Sequence, residues 1–577
     1  MSASTELPGA PADIPAPGQA PMPAPNAAAL LRRNATDADI ARRPAVRFGD
    51  AVWTHAEYVT ESRRWANLFL HRLDPARPPH VAVLMDNIPE YLFAFGGAAF
   101  AGAAVVGLNH TRRDEHLLRD ITHTDVQLLV VEPRHLDLIE PIRNELSVPL
   151  LVVGDSLDRA LAGVDDGDPG LEPEATTTWA LIFTSGTSDA PKAVICTQKR
   201  VLQTGARMRI IMGIEPDDTG YIAMPLFHSN AVMVGWAPSI VTGASVGLAR
   251  KFSASSWLPD LRRYGATWFN YTGKPLAYIL ATPERPDDGD NPLRVAFGNE
   301  GSPLVVDEFA RRFGVRVIDA FGATEGGVAV NRVDDGPAGA LGLVTETVKV
   351  VDEDGNERPR AVFDDHGRLV NAEDCVGEIV NTAGGGPFEG YYNNDEANQR
   401  TSRNGWYWSG DLGYVDDAGF LYFAGRNAEW IRVDGENFPG GPIEAAVSRH
   451  PDVVLAAVYG VPDAEAGDQV MAALVLRDGA TFDGGGFAAW VDAQADLGPK
   501  WRPRYVRIAS GGLPSTPTNK VLKRVLVQQK FRADQIDCDA VWVRGRGEDA
   551  YRPFTAEDER ALLAQFEHHG RQRFWDL

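Results

Sequence analysis

A chain of 577 residues exceeds what one compact core organises, so at least two domains are expected. Hydrophobic residues at 44% and charged residues at 23% are the composition of a folded protein and exclude a largely disordered one. With 56 Lys and Arg against 79 Asp and Glu, the formal charge of −23 gives no general attraction for nucleic acid or anionic lipid, so an anionic ligand must be held by a local site.

Taken in chain order, the first twenty-five residues hold seven prolines and lack a basic start followed by an apolar run, so residues 1–28 read as a disordered Pro/Ala-rich leader and not as a signal peptide. Tyr91 to Leu108 (YLFAFGGAAFAGAAVVGL) is eighteen residues without a charge. Its four glycines, its alanines and its β-like end argue for a buried helix, a turn at Gly102 and a buried strand, and against a transmembrane segment. HVAVLMDN, VQLLVVEP, WALIFTSG and ATWFNYTG read as buried strands alternating with helices such as Asp114 to Thr122 and Asp307 to Phe313, the pattern of an α/β fold with mainly parallel sheets. From about residue 340 shorter strands and turns follow, with VDDAG as a hairpin turn, a small β-rich subdomain. The large N-terminal domain of layered α/β subdomains is thus expected over 29–427, a small α+β domain over 428–535, and a C-terminal extension with one docking helix, AEDERALLAQFEHHG, over 536–577. Cys196, Cys375 and Cys538 form neither a CxxC pair nor a disulfide framework, which fits a reducing cytoplasm.

Between the strand-like WALIF and the apolar AVIC lies TSGTSDAPK, residues 184–192. Hydroxyls at Thr184, Ser185, Thr187 and Ser188, a flexible Gly186 and the ammonium of Lys192 can converge with backbone N–H groups on phosphate oxygens. The sequence is not a Walker A motif, and alone it reads equally well as a polar surface turn. Four other polar residues carry the same ambiguity. Lys520 alone reads as a surface lysine, Asp411 as a turn residue, Glu325 as a helix cap and His228 as a core histidine.

In order along the chain stand TSGTSDAPK, PLFHSNAVMVG at 225–235, AFGNEG at 296–301, FGATEGG at 321–327, YWSGDLGYVDDAGFLYFAGR at 407–426 and LPSTPTNKVLKR at 513–524. Together they resemble the adenylate-forming superfamily of acyl-CoA synthetases, adenylation domains and luciferases. The stretches KFSASSWLPDLRRYGATWFNYTGKPLAYIL and GFLYFAGRNAEWIRVDGENF resemble most the branch of long-chain and very-long-chain fatty-acid CoA ligases, in particular actinobacterial FadD-type ligases.

The resemblance implies that a carboxylate is activated by ATP as an acyl adenylate, releasing pyrophosphate, and is passed to coenzyme A, with Mg²⁺ as the metal and no nucleic-acid partner. It places Thr184 and Glu325 with Mg²⁺, and Ser185, Gly186, Thr187, Ser188 and Lys192 around the phosphates. Asn299, Glu300 and Gly301 fall at the adenine edge, Phe321 and Gly322 at its face, and Thr324 near the α-phosphate. Asp411 and Arg426 are set at the ribose, Arg432 as a nearby cation, His228 at the acyl pocket entrance, and Lys520 as the catalytic cation of adenylation. Glu429 stands at the hinge about which the mobile C-terminal domain turns.

Departures from the family pattern are Asp189 and Ala193 in place of Gly, Gln198 in place of His, Ala428 in place of Lys and Asn519 in the usual GK pair. They motivate an alternative in which the adenylating chemistry serves another acid or acceptor, as in a nitrite-activating diazotase or an amide ligase. A third reading is a nucleotide-binding regulator without catalysis.

Overall fold

The computed structural model describes residues 14–576 except 185–190, 302, 332–335, 338, 366, 368, 427–429, 434–435, 466, 517–520, 533, 537–538 and 546. Two mostly parallel sheets organise the N-terminal domain. The first runs in the order Leu150–Val152, Leu128–Val131, His80–Leu84, Ala104–Gly107, Thr178–Phe183, Ala193–Thr197, all parallel save the last pair. The strand pairs His80–Leu84 and Ala104–Gly107 are buried along their whole length, the continuous apolar run that a sheet covered on both faces requires.

The second sheet runs Ala329–Asn331, Arg316–Gly322, Val295–Asn299, Trp268–Thr272, Thr219–Ile222, Ser245–Leu248, Pro44–Phe48, Ala51–Thr54. It is parallel inside and closed at each edge by an antiparallel pair. Helices His55–Arg72, Pro89–Ala101 and Gln198–Met212 lie between the sheets, and one continuous core that includes Trp65, Tyr91, Phe95, Trp179, Trp236 and Val246 joins both.

The uncharged segment at 91–108 folds as its glycines and periodicity predict. Pro89 starts a helix at its first position, Gly102 ends it in the left-handed region at φ 65°, and the strand Ala104–Gly107 follows. No helix among the described residues is long and apolar enough to cross a membrane.

An antiparallel sheet follows, in the order Ala340–Leu343, Phe420–Arg426, Trp406–Val415, Gly377–Asn381, Val348–Val351. The VDDAG hairpin is present, with Gly419 at φ 88°. The C-terminal domain holds the hairpin Trp430–Val433/Glu436–Pro439, the helix Gly441–Val447 and a sheet in the order Val453–Pro462, Asp468–Leu476, Tyr505–Ile508, Ala540–Val543, Arg552–Pro553.

Two expectations change. Residues 14–25 are not a free leader: Arg207 donates to the Pro15 carbonyl at 2.9 Å, Gln203 donates to the Ala20 carbonyl at 2.9 Å, and Ala20 is buried. Proline-rich chain keeps unpaired carbonyls, and here side chains of Gln198–Met212 satisfy them; residues 1–13 lie outside the described residues. The segment after 536 is more than one docking helix, since Ala540–Val543 and Arg552–Pro553 extend the C-terminal sheet before the helices Ala556–His568 and Gln572–Asp576. The predicted docking helix does dock, through Phe566, beside Trp575 and Phe531.

Candidate active site

Loops leaving the C-terminal ends of the parallel strands of the second sheet meet on one rim, where open α/β sheets bind ligands. The loop after Thr219–Ile222 carries His228, half-buried in a turn closed by its N–H on the Pro225 carbonyl at 2.9 Å. Asn87 anchors this loop from the first sheet, donating to the Met224 carbonyl and accepting from Leu226 N, each at 2.9 Å. On the other side Ser229 Oγ lies 2.8 Å from Thr324 Oγ1, and Asn230 donates to the Tyr271 carbonyl at 3.0 Å. His228 is thereby tied to the next loops of the rim.

After Val295–Asn299 the chain turns through Glu300, which takes φ +66° in the left-handed region. Asp319 Oδ2 holds this turn, accepting from Gly301 N at 2.9 Å and from the Tyr271 hydroxyl at 2.7 Å. Asn299 Oδ1 is buried and has no hydrogen-bond partner among the described residues. A buried amide oxygen without a donor costs about 1–3 kcal/mol, and a donor brought by a ligand repays it. The exocyclic amino group of adenine is such a donor. On the neighbouring strand Arg316–Gly322, Phe321 is half-buried, its ring 6.0 Å from that of Phe423, and Gly322 is exposed.

Thr324 and Glu325 follow. Arg200, inside the helix Gln198–Met212, donates to the Thr324 carbonyl and, at 2.9 Å, to the Glu325 carbonyl, which fixes this turn against the first sheet. Glu325 Oε1 accepts from the Tyr391 hydroxyl at 2.7 Å, and Lys192 Nζ lies 5.6 Å from the centre of the Tyr391 ring. Lys192 also closes the base of its loop, its carbonyl accepting from Thr184 N at 3.0 Å. Thus Thr184, Lys192, Thr324 and Glu325, far apart in sequence, are brought together by Arg200 and Tyr391. Neither residue was marked by a motif; Arg200 stands in the unremarkable QKR run and Tyr391 in a tyrosine pair.

Asp411 is buried on the strand Trp406–Val415, its Cα opposite that of Arg426. Tyr407, on the same strand, has its hydroxyl pushed well up, first by burial and then by nearby acidic groups that include Glu325 and Asp411. Of Arg426 only the backbone is described. Arg432 is exposed on the hairpin of the C-terminal domain, its N–H on Asp468 Oδ2 at 3.0 Å, and does not join the rim through that contact. Ser185, Gly186, Thr187, Ser188, Asp189, Ala428, Glu429, Asn519 and Lys520 lie outside the described residues.

Gln198 has a structural explanation. It is fully buried, accepts from Ala27 N at 2.8 Å and donates to the Ala99 carbonyl at 3.2 Å, so it seats the first helix on the body. Among the described residues, three possible metal ligands approach within 4.8 Å at Asp86, Glu132 and His135, but Arg134 and Arg250 already pair with those carboxylates. Thr184 and Glu325 offer instead a hydroxyl and one carboxylate, a sparse all-oxygen set that suits Mg²⁺ bound chiefly through nucleotide phosphates.

A family model described as AMP-binding enzyme matches residues 32–392, and one described as AMP-binding enzyme C-terminal domain matches residues 442–520. The chain is 46% identical over 539 residues to a steroid-22-oyl-CoA synthetase of Rhodococcus jostii, covering 92% of this chain and 96% of that protein. It is also 46% identical over 499 residues to the medium/long-chain-fatty-acid–CoA ligase FadD17 of Mycobacterium marinum, covering 86% and 94%. The fold matches that of the anthranilate CoA ligase AuaEII in complex with anthranoyl-AMP, with a TM-score of 0.75 at 22% identity over 87% of this chain and 96% of that one. The chain therefore belongs to the AMP-binding, adenylate-forming superfamily, as an ATP-dependent acyl-CoA ligase that activates a carboxylate as its acyl adenylate and transfers it to coenzyme A.

Proposed function

We propose that the acid is large and hydrophobic, a long-chain fatty acid or a sterol-derived acid, and that the rim residues act in the roles their family positions imply. The convergence of Lys192, Tyr391, Glu325, Thr324 and Ser229 on one rim supports the second part. Two relatives of equal identity, one named for a steroid acid and one for medium and long-chain fatty acids, support the first.

A carboxylate is a poor electrophile because its leaving group is oxide. Attack on the α-phosphorus of ATP replaces that leaving group with AMP, and a thiolate can then displace it. Negative charge concentrates on the phosphates as the bond to pyrophosphate breaks, so fixed cations aimed there supply most of the stabilisation. Lys192 and the loop at 185–188 hold the β and γ groups, Asn299 Oδ1 takes the adenine amino group, Phe321 covers the base and Asp411 takes the ribose hydroxyls. Mg²⁺, when bound, neutralises phosphate charge, and Thr184 and Glu325 are the residues that hold it. Tyr391 keeps the Glu325 carboxylate oriented. Lys520 supplies the cation between carboxylate and α-phosphate, and rotation about Glu429 removes it before thioester formation. The buried thiols of Cys196 and Cys375 suit a reducing compartment, the cytoplasm.

The test is pyrophosphate release with ATP and Mg²⁺ across fatty, steroid, aryl and small polar acids, each with and without CoA, with the product identified by mass and Lys520→Ala alongside. Long-chain or steroid acids yielding CoA thioesters, with Lys520→Ala at least about a hundredfold slower, is the expected result. Turnover confined to small polar acids overturns the substrate assignment, and full activity of Lys520→Ala overturns the role of that lysine.

A further inference from the structure

Lys274 ends the strand Trp268–Thr272, in the YTGKPLAYIL stretch, and has no part in the roles assigned above. Gly273, at φ +60°, turns the chain there and donates its N–H to the Asn299 carbonyl at 2.7 Å, so Lys274 stands on the same rim as Asn299 and Glu300. Its side chain is buried, 4% exposed, yet the residue that receives its ammonium belongs to the other domain: Nζ donates to Ser515 Oγ. Ser515 Oγ in turn donates to the Leu513 carbonyl at 2.6 Å. Ser515 pairs in an antiparallel bridge with Val521, and Leu522 N donates to the Pro514 carbonyl at 2.8 Å. These contacts pinch the base of the LPSTPTNK loop, where Lys520 directly precedes Val521 in sequence. The helix Pro275–Leu280 beside Lys274 abuts the C-terminal strand Val453–Pro462, so the contact lies within an interface and not at an isolated point.

We infer that Lys274 is a positioning residue for adenylate formation, gripping the base of the Lys520 loop through Ser515 and so setting the C-terminal domain in the orientation the first half-reaction uses. The contact is built to be made and broken. Burial pushes the Lys274 ammonium down to about 8, so closing this interface strips water from a cation and offers one hydroxyl in return. Such a latch orders the loop without locking it, and the domain remains free to leave for thioester formation. The inference rests on the proposed role of Lys520, and the test separates the two.

Lys274→Met, Ser515→Ala, Ser515→Thr and the double variant Lys274→Met/Ser515→Ala are compared in the full chain with Lys520→Ala. The acid is palmitate or a steroid C22 acid, whichever the panel above shows to be turned over. Adenylation is read as acid-dependent ATP–pyrophosphate exchange, and the second half-reaction as thiolysis of the synthetic acyl adenylate by CoA. The expected result is a loss of at least about tenfold in exchange for Lys274→Met and Ser515→Ala, wild-type exchange for Ser515→Thr, a double variant no worse than either single one, and unchanged thiolysis in all of them. Equal losses in both half-reactions, or additive losses in the double variant, show a merely structural contact and overturn the inference. Wild-type exchange in Lys274→Met while Lys520→Ala is inactive overturns it alone. Wild-type exchange in Lys520→Ala sinks the reading of the loop and this inference with it.

Discussion

Glu325, proposed to hold Mg²⁺, shows how much of such a position is made by residues that carry no motif. Its backbone is held by Arg200 and its carboxylate by the Tyr391 hydroxyl. Tyr391→Phe leaves the ring beneath Lys192 and removes the hydrogen bond to the Glu325 carboxylate, worth about 1.5–3 kcal/mol. The expected outcome is a higher Mg²⁺ requirement and a fall of about tenfold or more in pyrophosphate release, against a melting temperature lowered by a few degrees at most. Titrating Mg²⁺ against the initial rate checks it. Gln198 predicts the reverse pattern. Gln198→Ala strands the N–H of Ala27 and the carbonyl of Ala99 in the core, at about 1–3 kcal/mol, so denaturant unfolding shifts while turnover of the folded enzyme does not.

His55 gives the residue scale a pH dependence. It is buried at the start of the helix His55–Arg72 with Nε2 3.0 Å from the Gly243 carbonyl, and burial lowers its pKa to about 4. The folded state therefore holds a neutral ring that the unfolded chain protonates near pH 6.5. Stability from this group is complete above that pH and is lost as the pH falls toward 4, by about 3 kcal/mol in full. The melting temperature measured from pH 7.5 to 5 is expected to fall less steeply in His55→Gln, which has nothing to titrate there.

At the scale of elements, His80–Leu84, Ala104–Gly107, Leu128–Val131 and Thr178–Phe183 of the first sheet and Trp268–Thr272 of the second were legible because each is a short apolar run bounded by polar, Gly or Pro residues. Thr54 with Glu57 forms a capping box, and Thr197 caps Gln198–Met212. What remained hidden has a common physical cause. The docking of residues 14–25, the two added strands of the C-terminal sheet and the Arg200–Glu325 contact all depend on surfaces that exist only once distant segments have folded. Periodicity reports which face of an element is apolar and says nothing of which other element covers it. The motifs single out Thr184, Glu325 and Asp411, but the residues that hold Glu325 are an ordinary arginine and an ordinary tyrosine whose identity is decided by space. Gly327 is one such place: a Cβ there meets the Tyr407 ring at 2.5 Å. Gly327→Ala is expected to cost about 1–3 kcal/mol and to lower turnover together with stability, checked by comparing unfolding and kcat in one variant.

For the whole molecule, the C-terminal segment is part of the small C-terminal domain. Phe566 and Trp575 pack with Phe531, and Lys530 Nζ donates to the Trp575 carbonyl at 3.1 Å, so the last helices are cemented to the domain that carries the Lys520 loop. Removing residues 555–577 uncovers this cluster. The expected outcome is a C-terminal domain that becomes protease-sensitive while the N-terminal domain keeps its resistance, read by limited proteolysis and mass spectrometry.

The second sheet also dictates an order of events during synthesis. Its strand Pro44–Phe48 is made early, but the strand it pairs with is Ser245–Leu248, and the chain builds the inner strands of the other sheet in between. The first strand of that sheet to leave the ribosome must wait about two hundred residues for its neighbour, and residues 14–25 wait for the helix Gln198–Met212, whose Gln203 and Arg207 donate to their carbonyls. A nascent chain of this enzyme therefore carries a half-paired strand and an undocked proline-rich strap through about a third of its elongation. The hairpin with Ala51–Thr54, which covers one edge of Pro44–Phe48 from the outset, is what leaves only the other edge open to the wrong partner.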